Sequence, residues 1–198
     1  MIRYPNGDKF EIHQSSKKKK SAIDISISSA NRGMNLEEDI NLSNDYYLLK
    51  NILLITKRPT PINVVKVDYS KGARITDAFF QTQSTTDYNG VYQGRYIDFE
   101  AKSTKNRTSF PLANISSHQI DHLKHVIHFG GIAFFIIQFE FYNEIYLLDA
   151  SYVIDFYEKG KRKSIPFFEI KEKGRLIKQG YNPRLNYIEA IDYMYFKK

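Results

Sequence analysis

Arg95-Tyr96-Ile97-Asp98-Phe99-Glu100-Ala101-Lys102 reads as a β-strand with two unlike faces. Side chains alternate along a strand, so Ile97, Phe99 and Ala101 share an apolar face and Asp98, Glu100 and Lys102 share the other. Three ionisable residues in a row behind a core-facing strip suit chemistry on a phosphodiester. Carboxylates hold Mg²⁺, which prefers oxygen ligands and keeps some of its waters. The cation lowers the pKa of a water and neutralises phosphate charge. A lysine beside it stabilises the negative transition state. The plain alternative is an exposed, salt-bridged strand face.

A second carboxylate is required, and Asp87 supplies it at the spacing Asp-x12-Glu-x-Lys. Register decides whether the two acids meet. A turn at Asn89-Gly90 would put Asp87 opposite Tyr92, far from Glu100. A turn at Gln93-Gly94 would set Asp87 against Glu100, and Thr85 against Lys102 if pairing continued. Opposed residues lie about 5 Å apart on one face. Asn-Gly is the stronger turn signal in isolation, yet only the Gln93-Gly94 turn gathers Thr85, Asp87, Glu100 and Lys102, so that register is the expectation. A second acid-x-lysine, Glu169-Ile170-Lys171, lacks a clean alternating context. The bare motif is therefore weak, and the strand around Glu100 gives it weight.

Outward from this pair the pattern is α/β. Residues 1–30 hold the Lys17–Lys20 run and many serines, and read either as a basic arm that touches DNA or as a solvated tail. Asn35 to Glu38 resembles a capping box, and an amphipathic helix is expected over 35–50. Ile52–Thr56 is a short strand stopped by Pro59-Thr60-Pro61. Asn63–Tyr69 and Ile75–Phe80 form a hairpin with a basic tip at 70–74. Strands at 87–92 and 95–102, a helix at 116–128 capped by Ser116 or Ser117, and strands at 131–139 and 144–148 follow. Residues 151–158 and 186–196 look helical, with a basic loop at 159–163 between them.

The chain has 198 residues, 42% of them hydrophobic and 26% charged, which suits one globular domain after the arm. No apolar run reaches the roughly 20 residues of a membrane span, so no membrane partner is expected. The absence of cysteine excludes disulfides and thiolate metal sites, and a cytoplasmic location is the simplest reading. The formal charge of +7 favours a polyanionic partner. Basicity from AT-rich coding would look the same, so the charge counts only beside a site that acts on phosphate.

Ser84 to Lys102 resembles the signature of the RecU family of Holliday-junction resolvases, within the PD-(D/E)xK nucleases. The stretches at 4–7, 31–34, 57–61, 108–112, 118–120 and 180–184 resemble it too, in the same order. The resemblance implies a restriction-endonuclease-like fold: a central mixed β-sheet flanked by helices, with the 63–83 hairpin as a protruding stalk. It implies a homodimer that cuts four-way DNA junctions in paired, symmetric nicks with Mg²⁺, for which Mn²⁺ can substitute. By position, Thr85, Asp87, Glu100 and Gln119 would be metal ligands and Lys102 would stabilise the transition state. On the stalk, Lys66, Lys71, Arg74, Phe79 and Phe80 would meet the junction. Thr86 stands where the wider superfamily has proline, a departure the family shares.

Gln119 falls at the edge of the inward face of its helix, as a ligand should. His118, His122 and His125 fall on the opposite side, and a solvated or DNA-facing role is expected rather than zinc. Asp98 binds either a partner behind the metal site or an ion pair with Arg95 or a nearby lysine. Glu37 and Glu38 suit the positive end of their helix. Arg32, Lys57, Arg58, Arg95, Lys105 and Arg107 are expected to grip phosphates. Of Phe79 and Phe80, alternation makes one a core residue and leaves the other to stack on bases. Two other functions remain open. One is a non-catalytic module that binds branched DNA or a recombinase (RecA-type) filament. The other is a nuclease of this fold with a linear duplex or single-stranded target.

Overall fold

The computed structural model describes residues 35–81 and 85–196. The expected N-terminal arm, Arg32 and the last few residues of the stalk region lie outside the described residues. In chain order the elements are α1 (Leu36–Leu49), β1 (Leu54–Lys57), β2 (Ile62–Asp68), β3 (Arg74–Phe80), β4 (Tyr88–Tyr92), β5 (Arg95–Thr104) and β6 (Ser109–Pro111). They continue as α2 (Ser117–His128), β7 (Ile132–Phe139), β8 (Glu144–Asp149), α3 (Ala150–Lys159), β9 (Ser164–Pro166) and α4 (Phe167–Lys173). The chain closes with β10 (Arg175–Leu176), β11 (Lys178–Gln179), β12 (Leu185–Asn186), α5 (Tyr187–Ile191) and a π-helical turn at Asp192–Phe196.

The central sheet runs β1-β4-β5-β7-β8-β10. Its one parallel pair is β5 with β7, and the rest are antiparallel, so the sheet is mixed as expected. Helices cover both faces. Leu36, Ile40 and Tyr47 of α1 and Tyr187 and Ile188 of α5 pack on Ile97, Phe99, Phe134 and Leu147. Ile120, Leu123 and Val126 of α2 and Val153 of α3 pack on Phe135, Ile137 and Leu148 from the other side. A sheet buried on both faces reads as a continuous apolar run, which is why β7 shows no alternation in sequence.

The decisive register is the Gln93-Gly94 one. Tyr92 pairs with Arg95 and Tyr88 with Phe99. Gln93 and Gly94 have φ of +47° and +73°, the two left-handed positions of a tight hairpin turn. The stronger local signal, Asn89-Gly90, loses because Gly90 lies inside β4 against β1. A Cβ there would come 1.9 Å from the Leu54 carbonyl oxygen, so the glycine serves close strand approach rather than a turn. Three buried rings then bind β4, β5 and β7 together: Tyr88 stacks on Phe99 at 4.9 Å and Phe99 on Phe134 at 4.8 Å.

Some expectations change. Asn35 caps α1 through Glu37, its side chain accepting from that N–H at 3.4 Å, rather than through a box with Glu38. Residues 167–173 form a helix, so Glu169 and Lys171 sit on α4 and no strand carries that second acid-x-lysine. The β2–β3 hairpin forms a two-stranded sheet of its own, exposed along nearly its whole length. Phe79 and Phe80 are 57% and 79% exposed, so neither is a core residue. Alternation assigns a core face only where a layer covers one side, and here neither face is covered by the described residues.

Candidate active site

β5 carries the site, and its polar face is not a solvent face. Asp98 and Glu100 are both fully buried, beneath α2. Asp87 lies one residue before β4 begins, and the β4–β5 register continues to it. Its N–H donates to Glu100 Oε2 at 3.1 Å, and its own Oδ2 accepts from the Ala101 N–H at 3.2 Å. Lys102 Nζ reaches Glu100 Oε1 at 2.7 Å. Gln119 on α2 donates from Nε2 to the same oxygen at 2.6 Å. Asp87 at the entry to β4, Lys102 on β5 and Gln119 on α2 thus converge on the one Glu100 carboxylate. Thr85 is half-buried two residues before Asp87.

Burial and the neighbouring Asp87 charge push the Glu100 carboxyl up to about 7, against the lowering pull of Lys102. Two acids held together out of water repel one another, and a cation between them would relieve that repulsion. Among the described residues no cluster of three His, Asp or Glu side chains forms a cage. Two carboxylates held side by side fit a hard cation that retains part of its water shell. Gln119 departs from a simple ligand role. Its Oε1 accepts from the Ser116 N–H at 3.1 Å, capping α2, while its NH₂ faces Glu100. A backbone donor on one side and a carboxylate on the other fix that orientation. Offering oxygen to a cation requires the amide to turn over.

A second buried cluster adjoins the first and was not legible as such. Asp98 accepts from Arg58 Nη2 at 2.6 Å and from the Tyr96 hydroxyl at 2.8 Å, and lies 3.0 Å from His122 Nε2. The Thr86 hydroxyl makes a short hydrogen bond to it as well. Burial alone would raise the Asp98 carboxyl, but His122, Arg58, Thr86 and Tyr96 together hold it below its usual value. His122 is accordingly not on a solvated face, and the ion pair is with Arg58, not Arg95. The available signal was spacing. His122 follows Gln119 by three residues on α2, as Asp98 precedes Glu100 by two on β5, so one helix face serves both acids.

The remaining expected DNA contacts are scattered. Lys57 forms an ion pair with Glu37. Arg58 is mostly buried, its side chain 18% exposed. Arg95 donates to the Gly130 carbonyl at 2.8 Å, at the far end of β5 from Lys102. The Arg107 guanidinium stacks on the Phe141 ring at 3.7 Å, and Lys105 is exposed nearby. Lys66, Lys71 and Arg74 are exposed on the hairpin.

A family model described as "Recombination protein U" (RecU) matches residues 31–193. A protein of Bacillus cytotoxicus named Holliday junction resolvase RecU is 52% identical over 203 residues, covering 98% of each chain. A protein of the same name from Bacillus cereus is 52% identical over 200 residues, with the same coverage. A solved structure of Hjc, a Holliday junction resolvase from Archaeoglobus fulgidus, superposes with a TM-score of 0.39 and 12% identity, over 68% of this chain and 93% of that one.

Proposed function

The chain belongs to the RecU family, and on that premise we propose that it is an endonuclease that resolves four-way DNA junctions by paired, symmetric nicks during recombination and repair. The observation that carries the catalytic part is the meeting of Asp87, Glu100 and Lys102 at one buried carboxylate. Asp87 and Glu100 would hold the divalent cation, for which Mg²⁺ is the reading and Mn²⁺ a substitute, with Thr85 and a turned Gln119 amide as neutral donors. When bound, the cation supplies charge neutralisation on the phosphate and activation of a water. Lys102, 22% exposed at the site's edge, would set its ammonium beside the scissile phosphate and stabilise negative charge as it develops. Burial of Glu100 keeps bulk water from screening these charges.

The junction part rests on the names of the relatives and on the exposed hairpin, whose Lys66, Lys71, Arg74, Phe79 and Phe80 offer cations and stacking surfaces to branched DNA. A twofold homodimer would present two equivalent sites to two strands of like polarity. Such DNA work belongs in the cytoplasm, where a recombinase filament is a further candidate partner.

The test is cleavage of a synthetic four-way junction and its matched linear duplex, with Mg²⁺ and with EDTA, by the wild type and Glu100→Ala. Paired nicks on the junction alone, lost with chelator or mutation while junction binding persists, are expected. Junction binding without cutting by the wild type would favour the binding module. Equal cutting of both substrates would remove the junction claim and leave the nuclease.

A further inference from the structure

Arg58 and Asp98 sit where the exposed hairpin joins the catalytic strand, and their chemistry says more than a surface arginine and a spare acid would. The outgoing leg of the hairpin is Lys57 to Pro61, and the returning leg reaches Thr86 and Asp87. Pro59 and Pro61 have no N–H to give, so backbone pairing across this neck is thin. The Gln81 N–H donates to the Pro61 carbonyl at 2.9 Å, and the Arg58 N–H to the Asp87 carbonyl at 2.8 Å. Among the described residues, side chains add further links. Arg58 Nη1 donates to the Thr86 carbonyl at 3.2 Å and to its hydroxyl at 2.5 Å. Nη2 donates to Asp98 Oδ2 at 2.6 Å and to the Tyr96 hydroxyl at 2.9 Å. Asp98, with no exposed surface, ties this group to β5, and His122 ties it to α2.

We propose that Arg58, Asp98 and His122 are positioning residues: a buried clamp that fastens the neck of the hairpin to β5 and α2 and so holds Asp87 opposite Glu100. Both terminal nitrogens of Arg58 are engaged by the protein, which leaves it poorly placed to grip a phosphate. The clamp fixes Thr86, and the next residue is Asp87, whose N–H and carboxylate both register on β5. This inference rests on the nuclease reading above.

The experiment uses the full chain with Arg58→Gln, Arg58→Lys, Asp98→Asn and the Arg58→Gln/Asp98→Asn double variant. Four quantities are read: melting temperature, junction affinity in EDTA and its salt dependence, single-turnover cleavage at saturating protein, and Mn²⁺ affinity by calorimetry. For Arg58→Gln and Asp98→Asn, cleavage at saturation and Mn²⁺ affinity should each fall about 10–100-fold, as when the supports of ligating side chains are removed. Junction affinity and its salt slope should stay at wild-type values. Arg58→Lys, which keeps the charge, should recover part of the loss. The double variant should be no worse than the worse single one, since both remove the same link. The clamp is overturned if Arg58→Gln lowers the salt slope by about one phosphate contact and leaves saturated cleavage unchanged. Losses that add in the double variant overturn it as well. If the wild type cuts no junction, the resolvase reading fails by itself. Mn²⁺ affinity then decides: a drop in Arg58→Gln and Asp98→Asn supports the clamp, and no change refutes it.

Discussion

Two antiparallel hairpins in this chain have opposite relations to water. In β4–β5 the aromatic residues Tyr88 and Phe99 have no exposed surface, and neither do the acids Asp98 and Glu100. In β2–β3 nearly every residue is exposed, including Ile62, Val65, Phe79 and Phe80. An isolated two-stranded hairpin is marginally stable on its own, and large exposed apolar residues in a group mark a surface that meets something. Buried acids are costly unless they are paired or serve a site. Each hairpin thus departs from the ordinary rule at the place the proposed function would explain: carboxylates inside, where the proposed chemistry needs them, and rings and cations outside, where the proposed DNA contacts lie.

The contrast can be broken from the buried side. Phe99→Ala removes the middle ring of the Tyr88–Phe99–Phe134 stack and should cost about 3–5 kcal/mol of folding stability. Phe80→Ala, by contrast, should change stability by less than about 0.5 kcal/mol. Chemical denaturation of the two variants side by side checks this. A comparable loss in Phe80→Ala would mean that the outer hairpin packs on something.

A smaller effect concerns pH. Glu100 titrates near 7 in the folded protein, against an ordinary value of 4.5. The folded state therefore binds the proton more tightly than the unfolded state does. This contribution is fully present below about 4.5 and is lost as pH rises through about 7, a difference on the order of 3 kcal/mol. Asp98, held low, acts in the opposite sense, lending stability above its ordinary 3.8 that disappears as pH falls through its depressed value. Denaturation in EDTA across pH 4.5 to 7 should show the decline, and Glu100→Gln should flatten it. A wild-type curve already flat over that window would show that Asp87 and burial do not load Glu100.

The smallest effect on folding, and the sharpest on binding, should come from Lys66→Ala, Lys71→Ala and Arg74→Ala. Stability should move by less than about 0.5 kcal/mol. Each cation that meets a phosphate should lower the slope of log affinity against log salt by about 0.9. Salt titrations of junction binding would show whether all three do so. An unchanged slope in the triple variant would remove the hairpin from the DNA interface.

Much of the site was legible because its determinants are local. Strand alternation put Glu100 and Lys102 on one side, and helical geometry turned Gln119 inward toward them. The register was harder, since Asn89-Gly90 is the better turn by itself. Only the Gln93-Gly94 turn brings Asp87 to Glu100, and that long-range pairing, not local turn preference, sets the register. The clamp was missed because Arg58 lies 28 to 64 residues along the chain from Thr86, Asp98 and His122. A sequence shows Arg58 as a charge beside a proline, and only packing shows both ends of its guanidinium occupied. Helix α4 was missed because seven residues give too few turns for a period to emerge.

The sequence by itself determined the α/β order of elements, the acid-x-lysine strand, the second acid thirteen residues before Glu100, and the likeness to one family. Those follow from local periodicity and motif spacing, which need no knowledge of distant neighbours. Only the tertiary structure decided that the polar face of β5 is buried beneath α2, that Gln119 turns its NH₂ rather than its oxygen to Glu100, and that Arg58 serves Asp98. These depend on which distant segments exclude water from a given side chain, and that is settled when layers pack, not along the chain.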